Sequence, residues 1–301
     1  MSVAVSFGVE FPRTFALPFG STNIEPNAVF IFSAPVSDHA KFAIQRAGNA
    51  PVDQALGGLA IPHRFNPTNR YPILIVSATS DGSASSIAAM GGYTNAALKL
   101  GWVVLAAEGP YGKPANDNVP WRWAMLSSAL AQIHAEWPGS RAWPVACAGF
   151  SGGAKWSPYL AATLMRQGYR VIGLFMGGCN EDAASVALTY YQPGAKFKEV
   201  PIFLSTGTLD SIAPPVRAAF VKQSMDRYGF KQIRFESYVG DHRVNHVHVE
   251  SALRWFQELH QKPDATAPPI QTDKTGKEPI MTEDKEKKNP SPPQAAANPP
   301  Q

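Results

Sequence analysis

The sequence predicts an α/β fold in which a mostly parallel central sheet carries helices on both faces. Two observations lead to this prediction. Five short, continuous apolar stretches are typical of strands that are buried on both faces. Segments with helical character separate them, so each strand can be followed by a helix and then by a parallel strand. The five stretches are residues 71–77, 101–107, 143–149, 170–176 and 201–206.

Three helices are predicted between these strands, a fourth follows the fifth strand, and another comes near the end of the main domain. Gly101, Gly168 and Gly229 stand where three of the helices should stop, because glycine adopts the left-handed conformation of a helix end. Residues 232–239 alternate apolar and polar side chains, which indicates a strand near the sheet edge. The predicted helices are residues 85–100, 121–137, 152–167 and 214–228, with a final one from about residue 245.

The two ends of the chain differ from this pattern. Residues 28–33 and 58–62 predict short added antiparallel strands, with a loop without clear period between them. Residues 261–301 hold nine of the 27 prolines and no aromatic residue, so a disordered polar tail is expected there. The predicted organisation is an N-terminal extension at 1–57, a main domain at 58–260 and a tail at 261–301.

Composition excludes several classes of function. The net charge of +4 belongs to residues 1–260, where 21 Lys and Arg face 17 Asp and Glu without clustering, and this disfavours nucleic-acid binding. The two cysteines, Cys147 and Cys179, cannot form a disulfide framework. No run of 18 apolar residues exists, so no membrane span is predicted. Oligomeric state has no signature in the sequence.

The first ten residues bear on localisation. They lack a basic region and reach an acid at Glu10, which disfavours a signal peptide. The default location is therefore the cytoplasm, with export as the alternative if a leader has been removed.

A candidate nucleophile follows the strand that ends at Gly149. The run Gly149-Phe-Ser-Gly-Gly153 matches G-x-S-x-G at a strand-to-helix junction, where a serine on a tight turn projects its hydroxyl above the sheet. The N-terminus of the next helix would stabilise negative charge beside Ser151. The alternative interpretation is a glycine-rich turn in which the serine only caps the helix.

Acid and base candidates follow Ser151 in the chain. A serine hydroxyl needs a histidine to accept its proton and an acid to orient that histidine. Asp210 lies just past the strand at 201–206, and His242 lies between the last strand and the last helix. His246 is the alternative base. Glu181, Asp182 and Asp241 are rival acids, of which Asp182 is the main alternative because it follows the strand at 170–176.

Two further parts of a site can be placed from the pattern. Gly152 would donate an N–H to an oxyanion, and the second N–H would come from Thr79 or Ser80 after the strand at 71–77. Pocket walls are expected from the loops at 108–123 and 179–199, with substrate contacts from aromatic residues, although such side chains more commonly pack against the body. The candidates are Tyr111, Trp121 and Trp123.

Four segments of the chain resemble the α/β-hydrolase superfamily, and more narrowly its bacterial esterase branch near the dienelactone-hydrolase and polyhydroxybutyrate-depolymerase-like proteins. These segments, within the roughly 58–260 that the resemblance covers, are 61–75, 149–154, 206–210 and 240–242. The resemblance implies Ser151 as nucleophile, Asp210 as acid and His242 as base, with acyl-enzyme chemistry, no cofactor and no metal. Members often carry His-Gly after the strand that precedes the oxyanion loop, whereas this chain reads Ser77-Ala-Thr-Ser-Asp-Gly82.

The functional expectation is therefore a serine hydrolase that cleaves carboxylic esters of small molecules. Two alternatives stay open. One is a protein of the same fold that binds a ligand or partner without turnover, suggested by the altered oxyanion loop and the tail. The other is a peptidase that uses the same triad.

Overall fold

A computed structural model of the chain describes residues 29–82 and 84–261. Its centre is a sheet of eight strands in the order β1-β2-β4-β3-β5-β6-β7-β8. Strands β3 to β8 run parallel, and β2 is antiparallel to both β1 and β4. The strands are β1 (Phe30–Pro35), β2 (Gln54–Ala60), β3 (Ile73–Ser77), β4 (Val103–Glu108), β5 (Val145–Phe150), β6 (Val171–Gly177), β7 (Ile202–Gly207) and β8 (Ile233–Tyr238). The mostly parallel sheet is as predicted.

Helices cover both faces of this sheet, as the continuous apolar strands predicted. The helices are α1 (Asp38–Arg46), α2 (Ser86–Ala89), α3 (Thr94–Lys99), α4 (Val119–Glu136), α5 (Gly152–Arg166), α6 (Ala183–Tyr191), α7 (Pro215–Tyr228) and α8 (His246–Gln261). Along β3, Ile73 and Ile75 join the apolar core under α4 to α7, whereas Leu74 and Val76 join the core under α3 and α8. None of these helices is long and apolar enough to cross a bilayer.

Three helical regions differ from the prediction. The helix expected over 85–100 is divided, because Gly91 and Gly92 weaken a helix and a 3₁₀ turn at Met90–Gly92 separates α2 from α3. The predicted loop between the first two strands contains α1, which Ser37 caps by accepting the Ala40 N–H. The expected loop at 179–199 contains α6, capped by Asp182.

The first two strands pair antiparallel, with Phe30 opposite Leu59. β2 begins at Gln54, four residues before the predicted start, and so crosses the predicted division between residues 57 and 58. That division stays a prediction. The N-terminal residues 1–28 and the part of the predicted tail at 262–301 lie outside the described residues.

The start of α5 lies against the ends of β3 and β5 with no space for side chains. A Cβ added to Gly153 would lie 2.1 Å from the Ser77 carbonyl oxygen, and one added to Gly149 would lie 2.1 Å from Gly153. These contacts are with backbone atoms, which cannot turn away as a flexible side chain can. The helix can therefore begin at this position only with glycine at both sites.

We predict that Gly153→Ala lowers the free energy of unfolding by about 3 kcal/mol, since the added methyl group must displace backbone. Urea denaturation monitored by circular dichroism measures the loss. Gly139→Ala is the matched control, because no described atom lies within 4 Å of its Cβ position. Equal stability of the two variants would contradict the close approach of α5 to β3.

Candidate active site

Ser151 occupies the tight turn between β5 and α5. Its backbone has φ 55° and ψ −123°, a conformation that a residue with a side chain rarely adopts. The Ser151 N–H donates to the Gly177 carbonyl at 2.8 Å, which ties the turn to the end of β6. The serine side chain makes no capping hydrogen bond to α5. The geometry thus differs from a helix-capping serine, whose hydroxyl would accept an N–H of the first turn.

Asp210 lies three residues beyond β7 and is almost fully buried. Its Oδ1 accepts the N–H groups of Ile212 at 2.9 Å and Ala213 at 2.7 Å, and its Oδ2 is 2.7 Å from His242 Nδ1. Burial raises the pKa of Asp210, but the hydrogen bonds from Ala213, His242 and Ile212 outweigh it and hold the pKa below its ordinary value. The carboxylate is therefore ionised, and the Nδ1 atom of His242 carries the proton between them.

His242 stands on the loop between β8 and α8, beside the turn that carries Ser151. Its ring centroid lies 4.6 Å from that of Phe150, and its Cε1 is 3.0 Å from the Cβ position of Gly178. With Nδ1 bonded to Asp210, Nε2 is left without a hydrogen bond to any described residue. Among those residues no hydrogen bond joins the Ser151 hydroxyl to His242. The structure brings an oriented imidazole to the serine turn and leaves its Nε2 available.

The alternative acid and base have other contacts. His246 is exposed at the first residue of α8. Asp182 caps α6 by accepting the Ser185 N–H at 2.9 Å. His248, in the same helix as His246, is buried and bonds Ser205 Oγ at 2.8 Å. Of the predicted candidates, Asp210 and His242 are the pair in direct contact.

The two predicted oxyanion donors are neighbours. A Cβ added to Gly152 would lie 2.2 Å from Thr79 Oγ1, so the residue after the serine directly adjoins the loop after β3. The Thr79 hydroxyl donates to Asp81 at 2.7 Å, and the Thr79 N–H bonds no described residue. The two residues thus lie side by side, and their role as oxyanion donors stays a prediction.

A group that sequence reasoning missed holds this loop from the side of α4. Arg122 donates to the Ala78 carbonyl at 3.0 Å and makes two hydrogen bonds to Asp117, at 2.8 and 2.5 Å. Its guanidinium also lies over the Trp156 ring, 4.4 Å from the centroid. We call Asp117, Arg122 and Trp156 the loop clamp. A single arginine among the apolar first turns of α4 is the signal that could have identified it.

The loop clamp extends to the next residues of the loop. Ser80 Oγ accepts the Trp156 indole N–H at 2.8 Å and donates to Asp117 at 2.7 Å. Lys113 adds two bonds from outside the clamp, to the carbonyls of Thr79 at 3.3 Å and Asp81 at 3.0 Å. The loop after β3 is therefore fixed by side chains that come from distant parts of the sequence.

The three predicted substrate-contact residues have different surroundings. Trp121 is buried in the core between α1 and α4, and its ring fills the space beside Gly109. Trp123 is partly buried and packs against the core under α4 to α7. Tyr111 is almost fully exposed. The two tryptophans pack as such residues commonly do, and a substrate contact from any of the three stays a prediction.

Comparisons with known proteins concern the fold. No protein-family model matches the chain, and no curated protein sequence matches it. Among solved structures, a ferulic acid esterase at 14% identity matches over 77% of this chain and 98% of its own, with a TM-score of 0.52. A candidate α/β hydrolase of unknown function from Agrobacterium tumefaciens, at 15% identity, matches over 77% and 97%, with a TM-score of 0.52.

A thermostable esterase at 14% identity matches over 77% of this chain, which spans 62% of that protein, with a TM-score of 0.51. At such low identity the likeness establishes the architecture alone. The chain has the α/β-hydrolase fold, as the resemblance of its motifs implied.

A double-mutant cycle tests the coupling between Arg122 and Asp117 in the loop clamp. Arg122→Met leaves the buried Asp117 carboxylate without its partner, so we expect a loss of about 3 kcal/mol in the free energy of unfolding. Combining Arg122→Met with Asp117→Asn should cost less than the sum of the single changes. Urea denaturation measures each loss. Lys222→Met, at the exposed Lys222–Asp226 pair, is the control and should change the free energy of unfolding by less than about 0.5 kcal/mol. If the losses of the two single variants simply add in the double variant, the coupling is refuted.

Proposed function

We propose that the chain is a serine hydrolase that cleaves carboxylic esters through an acyl-enzyme, with Ser151 as nucleophile, His242 as base and Asp210 as acid. One observation carries the proposal. The buried Asp210 carboxylate holds the His242 ring at 2.7 Å, beside the strained turn from which Ser151 projects. A nucleophile, a base and an orienting acid in this arrangement are the elements that acyl transfer requires.

The reaction proceeds in two halves. Ser151 Oγ attacks the ester carbonyl carbon while His242 Nε2 takes the hydroxyl proton, and the proton then passes to the departing alcohol oxygen as the carbon–oxygen bond breaks. In the second half water attacks the acyl-enzyme, His242 again accepts a proton, and this proton returns to Ser151 Oγ as the acid leaves. Asp210 keeps the proton on Nδ1 and stabilises the imidazolium.

Negative charge on the carbonyl oxygen would meet the N–H groups of Gly152 and Thr79. Gly152 is the first residue of α5, so the helix N-terminus adds favourable potential at the same point. The loop clamp holds the Thr79 side of this pair through Ala78 and Ser80. The donors are then in position before the reaction and need little reorganisation during it.

The ester assignment draws on the neighbours in fold. Two of them are described as esterases, one as a ferulic acid esterase and one as a thermostable esterase. We take a small-molecule carboxylic ester as the substrate class for this chain, with peptide hydrolysis and ligand binding without turnover as the outcomes that the experiments below separate.

Ser151→Ala should abolish covalent labelling by a fluorophosphonate probe and hydrolysis of p-nitrophenyl butyrate, because it removes the attacking oxygen. Gel fluorescence and release of p-nitrophenol measure the two effects. Ser251→Ala in α8 is the matched control and should keep both. A wild-type protein that takes up no label would contradict the proposal and favour binding without turnover. Turnover of aminoacyl p-nitroanilides with no turnover of esters would favour a peptidase.

Asp210→Asn should lower kcat/KM for p-nitrophenyl butyrate on the order of 10³-fold to 10⁴-fold, because the amide no longer selects the Nδ1 proton. His242→Ala should lose at least as much. Steady-state kinetics of each variant provides the test. His246→Ala serves as the control, and if it lost the activity while His242→Ala kept it, the base assignment would be wrong.

A further inference from the structure

A second cleft lies between α5, α6 and α7, lined by residues that the proposed reaction does not use. Its volume is about 500 Å³, which is within the range of small-molecule sites. Tyr159 from α5 forms one wall, and Ser224 and Tyr228 from α7 form another. Between them lie Glu181 and Asp182 and the first two turns of α6.

Two residues that line this cleft each hold a polar atom that is buried without a hydrogen-bond partner among the described residues. The atoms are Asp182 Oδ2 and Ser185 Oγ, and the Ser185 residue is only 4% exposed. Asp182 Oδ1 already caps α6 through the Ser185 N–H, so the cap does not account for Oδ2. Burying a carboxylate oxygen or a hydroxyl without a hydrogen-bond partner costs free energy. A ligand that donates a hydrogen bond to these two atoms would remove that cost.

The charge around the two atoms is negative. Glu181 pairs with Lys155 at 2.5 Å, whereas Asp182 has no ion pair within the described residues. Burial, followed by the nearby Tyr191 and Glu181, raises the pKa of Tyr159 to about 12, so this phenol stays protonated at neutral pH. None of the described residues that line the cleft is a cation, and Lys155 is already paired with Glu181, so Asp182 is the carboxylate left without an ion pair.

Aromatic side chains complete the cleft. Tyr159 is joined at the rim by Tyr190 and Tyr228, which are 73% and 49% exposed. Tyrosine rings attract an organic cation through their negative faces, and they also pack against its apolar body. The exposed tyrosines, together with the unpaired Asp182 carboxylate, can therefore bind a cation that carries an organic body.

From this combination we infer that the cleft is a binding site for an organic ammonium ligand, a primary amine on an aromatic or alkyl body. Its N–H groups donate to Asp182 Oδ2 and Ser185 Oγ, which a rotation of the two side chains exposes to the cleft, while its body packs on Tyr159 and the rim tyrosines. The site is separate from Ser151 in its residues and goes beyond the proposed hydrolysis. A neutral polyol could bond the same oxygens, but it would leave the Asp182 charge uncompensated.

Benzylammonium is the probe, and benzyl alcohol is its neutral isostere. We expect saturable binding of benzylammonium to the wild-type protein in a ¹H–¹⁵N correlation titration, with the largest shifts within α6, and at least tenfold weaker binding of benzyl alcohol. Ser151→Ala should bind as the wild type does, so the result does not depend on hydrolytic activity. Failure of the proposed hydrolysis and failure of this site are then separate outcomes.

Variants locate the site. Asp182→Asn keeps a residue that caps helices well but removes the charge, and should raise Kd at least tenfold. Tyr190→Ala, at an exposed position, should raise Kd about threefold through the lost cation–π contact. Glu258→Gln, an exposed acid in α8 on the opposite face of the sheet, should change Kd by less than twofold.

Three results would overturn the inference: no saturable binding to the wild type, equal binding of benzyl alcohol, or an Asp182→Asn protein that binds as the wild type does. If Asp182→Asn fails to fold, as judged by its thermal melt, Ser185→Ala and Tyr190→Ala replace it. In that case an unchanged Kd in both of them overturns the site, and a Kd raised by about threefold or more in both supports it.

Discussion

The contact between the start of α5 and the end of β3 is the constraint on which the site depends. Gly153 lies against the Ser77 carbonyl with no room for a Cβ, and Gly149 lies against Gly153 in the same way. This approach sets where α5 begins, and therefore where the preceding Ser151 stands and with what backbone conformation. It also sets Gly152 beside Thr79, so one packing contact positions both the serine and the two residues proposed as oxyanion donors.

The acid and the base are positioned by a second backbone arrangement, at the ends of β7 and β8. The N–H groups of Thr208 and Leu209 donate to the carbonyls of Tyr238 and Gly240, each at 2.8 Å, so the two loops are joined before any side chain is considered. Asp210 follows the first loop and His242 lies in the second. Their 2.7 Å contact is thus a consequence of parallel strands that end at one edge, a position where α/β sheets commonly bind ligands.

Local signals in the sequence account for most of the fold and for the three residues of the proposed triad. The buried strands, the glycines at Gly149 and Gly153 and the loop positions of Asp210 and His242 are all properties of short segments. The helix α1 escaped prediction because the segment is mostly polar, with only Ala40 and Ile44 buried among its nine residues. The loop clamp escaped it for a different reason: Arg122 contacts Ala78, 44 residues earlier, and such a contact exists only in the folded chain.

The loop after β3 shows how side chains can fix an irregular segment beside the proposed site. Irregular backbone needs partners for its polar groups, and here side chains provide them. Ser86 Oγ accepts the Ala78 N–H, Arg122 bonds the Ala78 carbonyl, and Lys113 bonds the carbonyls on either side of Ser80. The Thr79 N–H is left without a described partner, on the residue whose side chain adjoins Gly152. In the proposed reaction, the orientation of this N–H would depend on Arg122 and Trp156, because they hold the neighbouring Ala78 and Ser80.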